Sequence, residues 1–148
     1  MQDKTLKTSF ELFGIECGPG WRQLYQPIID YINEYNKTHD CNESFIEIRQ
    51  IKEKFAGLRF YWGGENVPKD VCMTLNDMIR KAEAESYCVC EMCGTRDNVG
   101  LTVDGWYTTI CEDCLRKSLE GDYRDSRKWR LNGKRYIINK EGKYEQYD

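Results

Sequence analysis

The chain is predicted to be an α+β protein: a helix, a β-hairpin and a second helix packed as one core, then a small cysteine-rich unit, then a C-terminal β-meander. Three observations carry this. Apolar residues recur at helical spacing in two segments, they alternate with polar residues elsewhere, and two Cys-x2-Cys pairs lie between residues 90 and 114.

The breaker cluster Cys17-Gly18-Pro19-Gly20 precedes Trp21, Leu24, Tyr25, Ile28, Ile29, Ile32 and Tyr35, whose spacings of three and four draw one helical stripe. Pro27 falls inside it, and a proline in a helix removes a hydrogen bond and crowds the preceding turn. Two forms remain open: a turn near Trp21 followed by a helix starting at Pro27, or one kinked helix, ending in either case near Asn36. From Phe45 to Gly64 the chain reads as a hairpin, with Ile46 and Ile48 alternating against Glu47 and Arg49, Leu58, Phe60 and Trp62 against Arg59 and Tyr61, and the turn near Ala56-Gly57. Pro68 suits a first helical residue, and Val71, Leu75, Met78, Ile79 and Ala82 make a second stripe running to about Ser86. These stripes and strands read as one shared core, while the side on which Trp21, Tyr61 and Trp106 lie stays open.

In the last part, Trp129-Arg130-Leu131 and Lys134–Ile138 flank Asn132-Gly133, the strongest short signal for a two-residue hairpin turn. A further turn at Glu141-Gly142 adds Lys143 to Tyr147 as a third strand. The chain thus divides into residues 1–87 (core), 88–121 (cysteine unit) and 122–148 (basic meander), which can equally close into one compact unit.

Composition bounds the function. Hydrophobic residues are 40% and charged residues 32% of the 148, and 10 Tyr, 5 Phe and 4 Trp supply enough apolar area for a folded core. No run approaches the roughly 20 apolar residues that cross a bilayer, and the first ten residues lack the apolar stretch of a secretory signal, so a cytoplasmic protein with no membrane partner is expected. In a reducing compartment eight cysteines argue for metal rather than disulfides. The formal net charge of −3 is unevenly spread: residues 124–140 hold seven basic side chains against one acid, Asp125, while the remaining 15 basic and 24 acidic residues total −9.

Cys90-x2-Cys93 and Cys111-x2-Cys114 supply four thiolates, and each two-residue gap lets a pair curl around one side of a tetrahedral ion. Gly94 suits the tight knuckle, which favours Cys90 over Cys88 as the ligand. The segment between the pairs, with Asp104-Gly105 at its middle, reads as a hairpin, and Leu115–Glu120 reads as a helix whose start carries Cys111 and Cys114. Knuckle, hairpin, helix is the order of a treble-clef zinc finger. The helix dipole, Arg116 and Lys117 favour the thiolate forms. Four cysteines close the coordination sphere of one structural Zn2+, leaving no position for water or substrate. Treble clefs also build His-Asn-His nucleases, but the one histidine, His39, is remote from the finger's helix, and no Walker or Rossmann glycine motif is present. Cys17, Cys41, Cys72 and Cys88 read as small core or surface residues.

The stretch Gln50-Ile51-Lys52-Glu53-Lys54-Phe55-Ala56-Gly57-Leu58-Arg59-Phe60-Tyr61, with Gly20-Trp21 before it and Glu85-Ser86, Cys90-Glu91-x-Cys93-Gly94 and Cys111-x2-Cys114 after it, resembles a group of uncharacterised small bacterial and phage zinc-finger proteins. The resemblance spans most of residues 20–114. The group's usual Gly-Gly or Gly-Thr is Ala56-Gly57 here. It implies a bacterial or phage cytoplasmic protein with an accessory or anti-defence role and transfers no activity.

Three functions are expected in order. The first is a non-enzymatic, zinc-stabilised protein that binds another protein through its finger and aromatic surfaces. The second is a nucleic-acid binder using Arg127, Lys128, Trp129, Arg130, Lys134 and Arg135, where cations would hold phosphates and Trp129 would stack a base. The third is a small enzyme acting on an anionic ligand, for which no catalytic set is recognisable.

Overall fold

The computed structural model describes residues 7–147, which form an α+β fold with four α-helices and two β-sheets. The first sheet is ordered β1 (Ile15–Glu16), β2 (Phe45–Lys54), β3 (Gly57–Glu65), with β1 parallel and β3 antiparallel to β2. Leu58 and Phe60 face the core as their alternation predicts. On β2 the alternation slips, because Ile46, Ile48 and Ile51 are all buried although Ile51 is out of phase with the other two. A β-bulge between Ile48 and Gln50 inserts Arg49 and so returns Ile51 to the core face.

A five-residue helix, α1 (Ser9–Phe13), is capped by Thr8, whose hydroxyl accepts the Glu11 N–H and donates to the Ile48 carbonyl. Helices α2 (Arg22–Lys37) and α3 (Lys69–Glu85) pack on each other and on the sheet. Helix α2 is continuous through Pro27, so the form starting at Pro27 does not occur; a single 3-10 turn, Pro19–Trp21, leads straight into Arg22. The reason lies in burial: Trp21, Leu24 and Tyr25 precede the proline and are all core residues, which fixes that first turn against the sheet. Pro68 stands one residue ahead of its expected place, as the N-cap of α3.

The second sheet is ordered β5 (Thr109–Cys111), β4 (Val99–Thr102), β6 (Ser126–Leu131), β7 (Lys134–Asn139), β8 (Tyr144–Tyr147). The hairpin between the cysteine pairs and the C-terminal meander are therefore joined edge to edge through β4 and β6. Helix α4 (Glu112–Glu120) covers this sheet, and Ile110, Leu115, Leu119, Trp129 and Ile138 form its core together with Cys90 and Cys111. The β4–β5 connection is wider than a two-residue turn. Its residues 103–108 are tied to β6 by Asp104, whose carboxylate accepts from Arg127 Nε at 2.9 Å and from the Lys128 N–H at 3.0 Å.

Candidate metal centre and neighbouring surfaces

Each half of the metal site is built by a different local device. Cys90 and Cys93 flank a tight turn in which the Gly94 N–H donates to the Cys90 carbonyl at 2.9 Å, and Gly94 takes a φ of 83° that a side chain would resist. Cys111 ends β5 and is the N-cap of α4, so Cys114 lies in that helix's first turn. The Sγ atoms of Cys90, Cys93, Cys111 and Cys114 lie within 4.8 Å of one another, with Cys93 and Cys111 3.7 Å apart, and none of the four is in a disulfide. This is close enough to hold one metal ion. Cys88, the rival by sequence, is exposed and outside the cluster.

The electrostatics are those of ligands brought together. Burial works against ionisation of Cys90, but the N–H groups of Cys93, Cys111 and Met92 outweigh it and bring the thiol down to about 7. Burial raises Cys111 and Cys114, and the neighbouring thiols raise Cys114 further. A first thiolate at Cys90 thus makes the next ionisation costly, and a divalent cation removes that cost.

The knuckle is seated on the N-terminal core, a connection that spacing alone does not reveal. The Gly20 N–H donates to the Glu91 carbonyl at 2.7 Å, the Gly18 N–H to Glu91 Oε2 at 2.9 Å, Trp21 Nε1 to the Val89 carbonyl at 2.8 Å, and Gln23 Nε2 to the Gly94 carbonyl at 2.9 Å. The approach is so close that a Cβ on Gly20 would stand 2.1 Å from the Cys90 carbonyl oxygen. The Gly18-Pro19-Gly20 cluster, read from sequence as a breaker, is the cradle of the knuckle.

The six residues expected to meet nucleic acid are divided by the fold. Trp129 is 1% exposed; its indole N–H donates to the Ile110 carbonyl, and its ring lies where a Cβ on Gly100 would otherwise be. Arg127 is 8% exposed and bonded to the carboxylate and carbonyl of Asp104. These two side chains hold the second sheet together and do not offer a surface for bases or phosphates. Lys128, Arg130, Lys134 and Arg135 are exposed. Alternation along β6 explains the split, since 127 and 129 share the inner face and 128 and 130 the outer.

Exposed aromatic rings occur elsewhere. The β2–β3 turn and the loop after β4 meet at a cleft of about 560 Å³ bordered by Phe55, Trp106 and Tyr107, with Lys52 and Lys54 beside them. Phe55 and Trp106 are each 75% exposed and Tyr107 50%. Trp21 is core and Tyr61 partly exposed, which answers the question their sequence left open. The Thr109 hydroxyl donates to the Ala56 carbonyl at 2.7 Å and locks the two walls together. Among the described residues no helix is long and apolar enough to cross a membrane. Set against protein-family models, curated proteins and solved structures, the chain matches none.

Proposed function

We propose that this chain is a non-enzymatic, zinc-stapled binding protein whose finger is of treble-clef type and whose partner is another protein. The zinc reading rests on the donor set. Four cysteine sulfurs around Zn2+ at about 2.3 Å define a tetrahedron with edges of about 3.8 Å, and the Cys93–Cys111 separation is 3.7 Å. Knuckle, hairpin β4–β5 and helix α4 follow in treble-clef order, and an all-cysteine sphere serves structure rather than hydrolysis. The expected result is one zinc per chain in freshly purified, reduced protein, with Cys93→Ser and Cys114→Ser each losing the metal and the folded state. Stoichiometric metal missing from folded protein refutes the staple.

The observation that carries the binding role is the convergence of Phe55, Trp106 and Tyr107 on one open cleft. Large aromatic side chains left in water cost solubility without adding to the core, and at interfaces they supply much of the binding energy. Lys52, Glu53 and Lys54 border the aromatic cleft and supply charged groups at its rim, as a polar rim around an apolar contact does at interfaces. In a bacterium or its phage such a protein fits an accessory or anti-defence role. Tagged full-length protein purified from cells that express it should retain a stoichiometric protein partner that Trp106→Ala releases; isolation of the chain alone counts against the reading.

The exposed Lys128, Arg130 and Arg135 on the outer face of the β6–β7 hairpin, with Lys134 exposed beside its turn, favour a second reading, nucleic-acid binding. Counterion release then makes affinity fall steeply with salt, and reversing charge at Lys128 and Arg130 should abolish it. Binding indifferent to salt removes that reading.

A further inference from the structure

The β2–β3 hairpin turns through Phe55 (φ 53°) and Ala56 (φ 68°), between the paired residues Lys54 and Gly57. Two positive φ angles are the demand of a type I′ turn, which Asn-Gly meets with least strain. The same chain uses Asn132-Gly133 (φ 51° and 79°) for the equivalent turn between β6 and β7. Ala56 is clamped in its conformation, its N–H donating to Glu53 Oε2 at 2.8 Å and its carbonyl accepting Thr109 Oγ1 at 2.7 Å. Phe55 has no comparable restraint. The residue is 75% exposed, with Lys54 Nζ 5.7 Å from the ring centroid. A bulky residue held in the left-handed region without burial points to a role outside the isolated fold.

The chemistry around that ring defines what it meets. Lys52 and Lys54 border the cleft on the strand leading into the turn, and the Glu53 carboxylate between them accepts the Ala56 N–H, so two ammoniums against one carboxylate leave this edge of the cleft with a net charge of +1. The rings of Trp106 and Tyr107 border the same cleft. A volume of about 560 Å³ lies within the range that encloses a compact apolar group. Resting on the protein-docking reading above, we propose that this cleft receives an acidic segment of the partner protein, which inserts one bulky apolar side chain between Phe55 and Trp106 while its carboxylates meet Lys52 and Lys54.

The test is selection of a random linear peptide library on the full-length protein, followed by affinity measurement with one synthesised, enriched peptide. The enriched sequences should share Asp or Glu around a single Trp, Phe or Leu. Trp106→Ala and Phe55→Asn should each weaken binding about tenfold or more, a hot-spot loss, and Lys52→Glu with Lys54→Glu should do the same. Asn tolerates the left-handed turn position, so Phe55→Asn should keep or raise the melting temperature while binding falls, which separates a lost contact from a lost fold. Enriched peptides without an acidic excess overturn the proposed chemistry but leave the docking cleft standing. Peptide binding that ignores Phe55 and Trp106, or no enrichment over the Trp106→Ala protein, overturns the cleft itself. Displacement of the peptide by an oligothymidylate that quenches Trp106 overturns the proposal in favour of a single-stranded nucleic acid.

Discussion

Cys111 holds two positions at once: its Sγ belongs to the four-cysteine cluster and also accepts the Cys114 N–H, capping α4. Its side chain therefore links ligand geometry to helix initiation, and a serine there restores the cap but not the metal. The remaining cysteines divide by environment. Burial, and next the negative charge of Glu91 and Glu53, push the Cys17 thiol up to about 12, whereas Cys41 and Cys88 stand exposed. The thiolate is the nucleophile, so iodoacetamide at pH 8 should label Cys41 and Cys88 and spare Cys17 in the metal-loaded protein. The four clustered cysteines should join the labelled set only after chelation. Mass mapping that finds Cys17 labelled as fast as Cys88 contradicts this account.

Strand β3 is an edge of its sheet, and α3 with its following turn protects it. The Leu58 N–H donates to Ser86 Oγ at 3.0 Å, and the Phe60 N–H to Glu83 Oε2 at 3.0 Å. The Ser86 hydroxyl in turn donates to the Glu83 carbonyl at 2.6 Å, so one buried serine serves both strand and helix end. Edge amides answered by side chains cannot recruit another strand. Ser86→Ala leaves the Leu58 N–H buried and unpaired, and should lower unfolding free energy by about 1–3 kcal/mol in urea titration. An unchanged midpoint means that water or a backbone shift replaces the hydroxyl.

The knuckle's seat on Gly18–Gln23 and the Thr109–Ala56 bond make the metal centre a joint between the two sheets rather than an ornament of the second. Free energy of metal binding then becomes stability of the whole molecule. Chelation should shift the emission of Trp21, fully buried in the N-terminal core, in the same transition that melts the finger. Gly20→Ala forces a Cβ onto the backbone of Cys90 and Gly94, atoms that cannot yield as a flexible side chain would. It should cost about 1–3 kcal/mol or more and speed zinc loss to a chelator at the same time. Reduced stability with unaltered metal retention disproves the coupling.

Much of this was legible in residue order. The helical stripes of α2 and α3, the alternation along β3, the Asn132-Gly133 turn and the two Cys-x2-Cys pairs that supply the four clustered cysteines are local patterns, because each reflects the period of a single element or the reach of one short loop. What pattern could not carry was the partner of each face. Trp129 and Arg127 sit in a basic run that reads as surface, yet β6 pairs with β4 and turns both inward. The bulge at Arg49, the cradle under the knuckle, and the placing of Phe55 and Trp106 on one cleft depend on contacts between residues distant in the chain. Such contacts are chosen by the packing of the complete fold, where a two-residue turn and a distant loop become neighbours only after both sheets have closed.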